Sequence, residues 1–207
     1  MTYTFVGLGN PGEEYENTRH NAGRMILLWL AKSEGAEWKY DKKINAQVAA
    51  INLGSNLGKK THGNIGSAKA LLVLPDSYMN NSGKSVKPLV GSLKAAEKLL
   101  VIYDDLDLPF GSAKMSWNKS SGGHRGLESV IKALKTEKFA RIRIGTSPTT
   151  PSGKLRKPQG EEKVMKHILG KFKPDEMLAL KKLYKKVAQA LETFTTSGLS
   201  AAMTEFN

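Results

Sequence analysis

Gly7-Leu8-Gly9-Asn10-Pro11-Gly12-Glu13-Glu14-Tyr15-Glu16-Asn17-Thr18-Arg19-His20-Asn21-Ala22-Gly23 is the stretch whose reading decides the fold. The apolar run Tyr3-Thr4-Phe5-Val6 leads into it, and residues 25–34 leave it with a helical, amphipathic pattern. It is therefore a loop at the end of a strand, where open α/β sheets keep their ligand sites. Its glycines free the backbone, and Asn, Tyr, Arg and His crowd between them. Gly7, Gly9 and Gly12 also spell G-x-G-x-x-G, the dinucleotide fingerprint. The context opposes that reading. Pro11 and a polar run delay the helix that should open inside the motif. Glu13, Glu14 and Glu16 would repel a pyrophosphate.

Working outward, 207 residues are enough for one domain with a proper core. Lys and Arg number 32 against 19 Asp and Glu, a net charge of +13 that points to a polyanionic partner, most often nucleic acid. With no cysteine, disulfides, thiolate catalysis and Cys-based metal sites are excluded. His20, His62, His124 and His167 lie far apart with no metal-ligand spacing, so neither a metal nor a cofactor is expected. No run approaches the ~18 apolar residues of a membrane span. The first strand begins at the second or third residue, leaving no room for a transit peptide. The expected location is the cytoplasm, with the mitochondrial matrix as the alternative. No obligate protein partner is evident.

Residues 46–53 and 68–74 are strand candidates joined by a Gly-rich, hairpin-like loop that holds His62. The second ends at Pro75 and gives Tyr78-Met79-Asn80-Asn81-Ser82-Gly83, a second strand-to-helix loop. Met79, between an aromatic and an amide, is an adaptable ligand surface; the alternative for this segment is a helix cap, with Asn80, Asn81 or Ser82 at the N-terminus. Residues 98–103 read as a central buried strand. It delivers Asp104-Asp105-Leu106-Asp107-Leu108-Pro109, where Asp104 would orient a His from a neighbouring loop. A Mg²⁺ site there lacks a phosphate loop or further acids to support it. The strand-like residues 112–117 precede Ser120-Ser121-Gly122-Gly123-His124-Arg125-Gly126 at a helix start, a natural anion site unless it is a plain connector. Arg141 and Arg143 share one face of a strand over 139–145, either reaching phosphates or lining a solvated edge. Residues 146–160 read as a mobile basic loop. A short helix over 161–169 and a long one from Pro174 follow; the latter's Lys181, Lys182, Lys185 and Lys186 form a nucleic-acid surface or a solvated face.

Strands alternating with helices predict an α/β class: a single domain, residues 1–207, with a twisted mixed, mostly parallel sheet flanked by helices. Loops from different strand ends then bring Asn10, His20, Asn80, Asp104 and Arg125 together. A His paired with an Asp, without a nucleophile elbow, points to water activated by a general base. Amides such as Asn10 and Asn80 suit a carbonyl or a developing oxyanion.

The four motifs resemble the signatures of the bacterial-type peptidyl-tRNA hydrolases. The first loop meets every fixed position of G-x-x-N-P-G-x-x-Y-x-x-T-R-H-N-x-G. The aromatic-Met-Asn-x-S-G and D-[DE]-L-D-L-P signatures are intact. G-G-H-N-G is matched except at Arg125, where the family normally carries Asn. The resemblance implies hydrolysis of the ester joining peptide to tRNA. His20 would be the base, Asp104 its orienter, and Asn10 the selector of blocked over free aminoacyl groups. It further implies that Tyr15, Tyr78, Asn80 and Arg125 line the substrate groove, and that Lys114, His124 and Arg143 contact tRNA phosphates. The alternative within the same fold is a non-catalytic RNA-binding relative of the intron-splicing type.

Overall fold

The computed structural model describes residues 2–53 and 68–207. The strands are β1 (Tyr3–Gly7), β2 (Lys39–Asp41), β3 (Ala46–Leu53), β4 (Ala68–Pro75), β5 (Leu99–Pro109), β6 (Ala113–Trp117) and β7 (Ala140–Ser147). The helices are α1 (Ala22–Ser33), α2 (Ser82–Val86), α3 (Leu93–Ala96), α4 (Arg125–Leu134), α5 (Glu161–Ile168), α6 (Pro174–Thr196) and α7 (Gly198–Phe206). The sheet order is β2-β3-β4-β1-β5-β7-β6. Its centre, β4-β1-β5-β7, is parallel, and β2, β3 and β6 join antiparallel at the flanks. The mixed, mostly parallel sheet read from the sequence is the one observed.

The period-two alternation of the central strands sorts their side chains into two layers. Phe5, Leu100 and Ile102 pack under α1 and α6 on one face. Val6, Leu99, Val101 and Tyr103 pack with Val86, Leu127 and Val130 of α2 and α4 on the other. Along α6 the stripe Leu180, Leu183, Val187, Leu191 and Phe194 is buried. Each such side chain is worth about 1.5–3 kcal/mol. Exposed charges contribute about 0–1 kcal/mol per pair, so the apolar stripe sets how α6 lies and leaves its lysines in solvent.

From β1 the chain moves to β4 on one side and returns to β5 on the other. A crevice therefore opens at the carboxyl ends of these strands, as in other open sheets. Several local expectations change. β5 does not stop before the acidic motif but runs through it to Pro109, with a register shift between Asp105 and Pro109. β7 is not an edge, because β6 folds back beside it, so Arg141 is fully buried. Residues 146 and 147 belong to β7 and not to a basic loop. The rest of that segment turns back on itself: Thr149 bridges Leu155, and Arg156 N–H donates to the Pro148 carbonyl. The hairpin-like loop at 54–67, with His62, lies outside the described residues.

Candidate active site

The first loop is fixed by its own amides. Asn10 N–H donates to Asn21 Oδ1 at 2.8 Å, and Asn21 Nδ2 donates back to the Asn10 carbonyl at 2.9 Å. This reciprocal pair closes the loop and sets His20, one residue before Asn21, on a tight turn ahead of α1. Arg19 anchors the turn's outer side. Its guanidinium forks onto both Glu176 oxygens at 2.9–3.1 Å, donates to the Gly170 and Lys171 carbonyls and lies 5.3 Å from the Phe172 ring centroid. Neither Asn21 nor Arg19 stood out for this role in the sequence, although both are fixed positions of the motif.

His20 Nδ1 lies 2.9 Å from Asp104 Oδ1, and both side chains are buried. The same oxygen lies 2.9 Å from His124 Nε2. Burial alone would push the Asp104 carboxyl up, but the two imidazoles hold it well below the usual carboxylate range. It is therefore an ionised acceptor, and His20 Nδ1 carries the proton of their hydrogen bond. His20 Nε2 is left with its lone pair toward the cleft. Burial lowers the His20 pKa and the charge and hydrogen bond of Asp104 raise it; with a smaller lowering by Arg125, the net direction is upward.

His124 is not placed as expected. It caps α4, its Nδ1 accepting from Leu127 N–H at 3.1 Å, while Nε2 faces Asp104. Both ring nitrogens are engaged inside the protein, so a phosphate contact would require breaking one of these bonds. The clustering of two His on one Asp was hidden by their separation in sequence. Three ligand-type atoms, from His20, Asp104 and His124, lie within 4.8 Å of one another. The donor set nevertheless suits a metal poorly. Leu127 N–H occupies the Nδ1 lone pair, so a metal on Nε2 would demand an imidazolate or a broken helix cap.

Asn10, His20, Tyr78, Met79, Asn80, Asp104, Arg125 and Arg143 all line one cleft of about 760 Å³. Asn10 Oδ1 accepts from Met79 N–H at 2.8 Å, which leaves Nδ2, a donor, for a ligand. Tyr15 meets Tyr78 edge-on at 6.5 Å between ring centroids, at the rim. Asn81 precedes α2 without a side-chain capping bond, whereas Ser82 Oγ donates to the Met79 carbonyl.

A family model described as peptidyl-tRNA hydrolase matches residues 4–207. The chain belongs to the peptidyl-tRNA hydrolase family. It is 38% identical over 187 residues to a peptidyl-tRNA hydrolase of Aquifex aeolicus, covering 90% of this chain and 86% of that one. With one from Chloroflexus aurantiacus it shares 37% over 207 residues, covering 99% and 98%. The crystal structure of the Acinetobacter baumannii peptidyl-tRNA hydrolase superposes with a TM-score of 0.81 at 30% identity, covering 100% of this chain and 94% of that one.

In this member of the peptidyl-tRNA hydrolase family, the cations expected at phosphates are differently placed. Arg143 lies 3.2 Å from Asp105 Oδ2 within the cleft wall. Lys114 is its cross-strand neighbour, exposed and outside the cleft lining. Arg125, the departure from the family motif, turns outward and meets Glu161 of α5 at 2.9 Å, both side chains being mostly exposed. Lys157 pairs with Asp107 across the same opening. Among the described residues no helix is long and apolar enough to cross a membrane.

Proposed function

We propose that this chain hydrolyses the ester bond between the peptide and the tRNA of peptidyl-tRNA, in the cytoplasm, with water as the nucleophile. The observation that carries the reading is His20, held at Nδ1 by Asp104 and free at Nε2 in the cleft that the Asn10 amide also lines. Nε2 takes a proton from water as the oxygen attacks the ester carbonyl. The carbonyl π pair moves onto oxygen, and the Asn10 Nδ2 donor and the Asn80 amide stabilise that charge. Collapse of the tetrahedral intermediate breaks the bond to the ribose oxygen, which leaves with the proton held by His20. The products are a free peptide acid and tRNA. Tyr15, Tyr78 and Met79 receive the varied peptide, while Lys114 and Arg143 attract the phosphates. Release of peptide from peptidyl-tRNA, with free aminoacyl-tRNA as control, tests the reading. No release at high enzyme concentration, with tRNA binding retained, would favour the RNA-binding alternative.

Asp104→Asn removes the charge that raises the His20 pKa. The base must be neutral to act, so activity falls as pH drops through that pKa. The acidic limb of the pH–rate profile is therefore expected to move to lower pH, with a smaller loss of kcat than His20→Ala. An unmoved limb would mean that Asp104 does not set the base.

Arg125→Asn is expected to raise KM for peptidyl-tRNA and leave kcat within a few-fold, the pattern of lost uniform binding. Arg can only donate, and from its outward position it suits a phosphate. Glu161→Gln, which frees Arg125 from its partner, is expected to lower KM. A gain in kcat on Arg125→Asn would show instead that Arg125 obstructs the groove.

A further inference from the structure

His124 has a defined chemical state that the proposed mechanism does not use. The amide of Leu127 can only donate, so His124 Nδ1 accepts and Nε2 must carry the ring proton. That proton points at the Asp104 oxygen which also takes the His20 Nδ1 proton, both at 2.9 Å. Tyr103 packs edge-on against the His124 ring at 4.8 Å between centroids and keeps it in this plane. The start of α4 is thus wired to the carboxylate that orients the base.

We propose that His124 is a positioning residue: locked as an Nε2–H donor by the cap of α4, it fixes the Asp104 oxygen where His20 needs it and shares that oxygen so that it is never given wholly to His20. The inference rests on the hydrolase reading of the cleft. Two consequences follow. Asp104 cannot rotate away from His20 without also losing His124, which holds Nε2 aimed at the attacking water. And the donor from His124 draws on the same lone pairs that make His20 more basic, so it restrains how far Asp104 raises the base. The other groups around the pair are Arg125 on α4, Asp105 beside Asp104 on β5, Arg141 and Arg143 on β7, and His167 on α5. Arg143 is paired with Asp105, Arg141 is bound to backbone carbonyls, and His167 Nε2 donates to the Thr146 carbonyl. Among the described residues, His124 is therefore the group that acts directly on the Asp104 oxygen besides His20.

Two substitutions separate cap from donor. His124→Asn keeps a good N-cap but is too short to reach Asp104. His124→Gln carries an amide N–H at about the reach of Nε2 but caps poorly. Melting temperature, kcat, KM and the titration of the His20 ring protons by NMR are read on both. In His124→Asn, the melting temperature is expected to stay near wild type and kcat to fall about tenfold or more, as misplacement of a catalytic group produces. KM should hardly change, and the His20 titration should move to higher pH. His124→Gln is expected to melt lower yet keep kcat within a few-fold and the wild-type His20 titration. Wild-type kcat and titration in His124→Asn would overturn the proposal, leaving His124 a cap only. Equal losses in both variants, following the melting temperature, would overturn it too. Because the titration needs no turnover, an inert wild-type enzyme would sink the hydrolase reading alone, and the His20 titrations would still decide the role of His124.

Discussion

His20→Ala is expected to lower kcat on peptidyl-tRNA by at least ~10²-fold, the usual scale for removing a general base, while leaving the protein folded. The loss should fall on kcat, because His20 Nε2 acts on water and not on the bound ester. The fold should survive because Asp104, the buried carboxylate it leaves behind, is not orphaned. His124 Nε2 still reaches the same oxygen at 2.9 Å. An unpaired buried charge would otherwise cost about 3–5 kcal/mol. Steady-state kinetics beside a thermal melt check both halves. Unchanged turnover in the folded variant would remove His20 from the mechanism.

How far the site could be read from the sequence follows from which forces act locally. The strand-then-loop pattern around residues 7–23 and the buried run before Asp104 each announce themselves in contiguous residues. The parallel sheet and the meeting of His20 with Asp104 follow from them. Placement that depends on distant packing could not be read. Arg141 and Arg143 look alike at period two and both pair beside β6, yet the loop that follows β6 covers one and not the other. Arg141 ends buried beneath the Gly-rich loop, bound to the Lys119, Ser120 and Glu137 carbonyls and stacked on Phe139. His124 looked like one more cation in a basic, Gly-rich loop. Its role as cap and carboxylate donor depends on the distance from α4 to β5, which no local pattern carries. The same holds for the charge balance. The net +13 points to a polyanion, but Arg19, Arg125, Arg143 and Lys157 are each paired with a carboxylate. A polyanion would have to compete with those acids or use lysines such as Lys114 and the exposed row on α6.

Gly23→Ala is expected to damage both stability and activity, although the change adds one methyl group at a residue that does not line the cleft. Gly23 lies in the first turn of α1, where the helix meets the sheet backbone to backbone. A Cβ there would stand 2.1 Å from the Ile102 carbonyl oxygen and 2.9 Å from the Leu8 nitrogen. Neither is the end of a flexible side chain that can swing aside, and Leu8 N–H donates to that same Ile102 carbonyl at 2.9 Å. The helix must therefore lift from β1 and β5. Overpacking of this kind costs about 1–3 kcal/mol and occasionally more, and contact with backbone on two sides puts this case at the upper end. At roughly 2–4 °C per kcal/mol for a chain of this size, the melting temperature should drop by about 6–12 °C. Activity should fall beyond what unfolding explains, because the turn carrying His20 and the Asn21 clamp on Asn10 ride on the start of α1. A displacement of 1 Å at such a site can cost about 10²-fold in rate. The check is kcat measured well below the melting transition, where the variant is fully folded. A variant that melts like wild type and turns over normally would show that α1 can shift without carrying His20 away from Asp104.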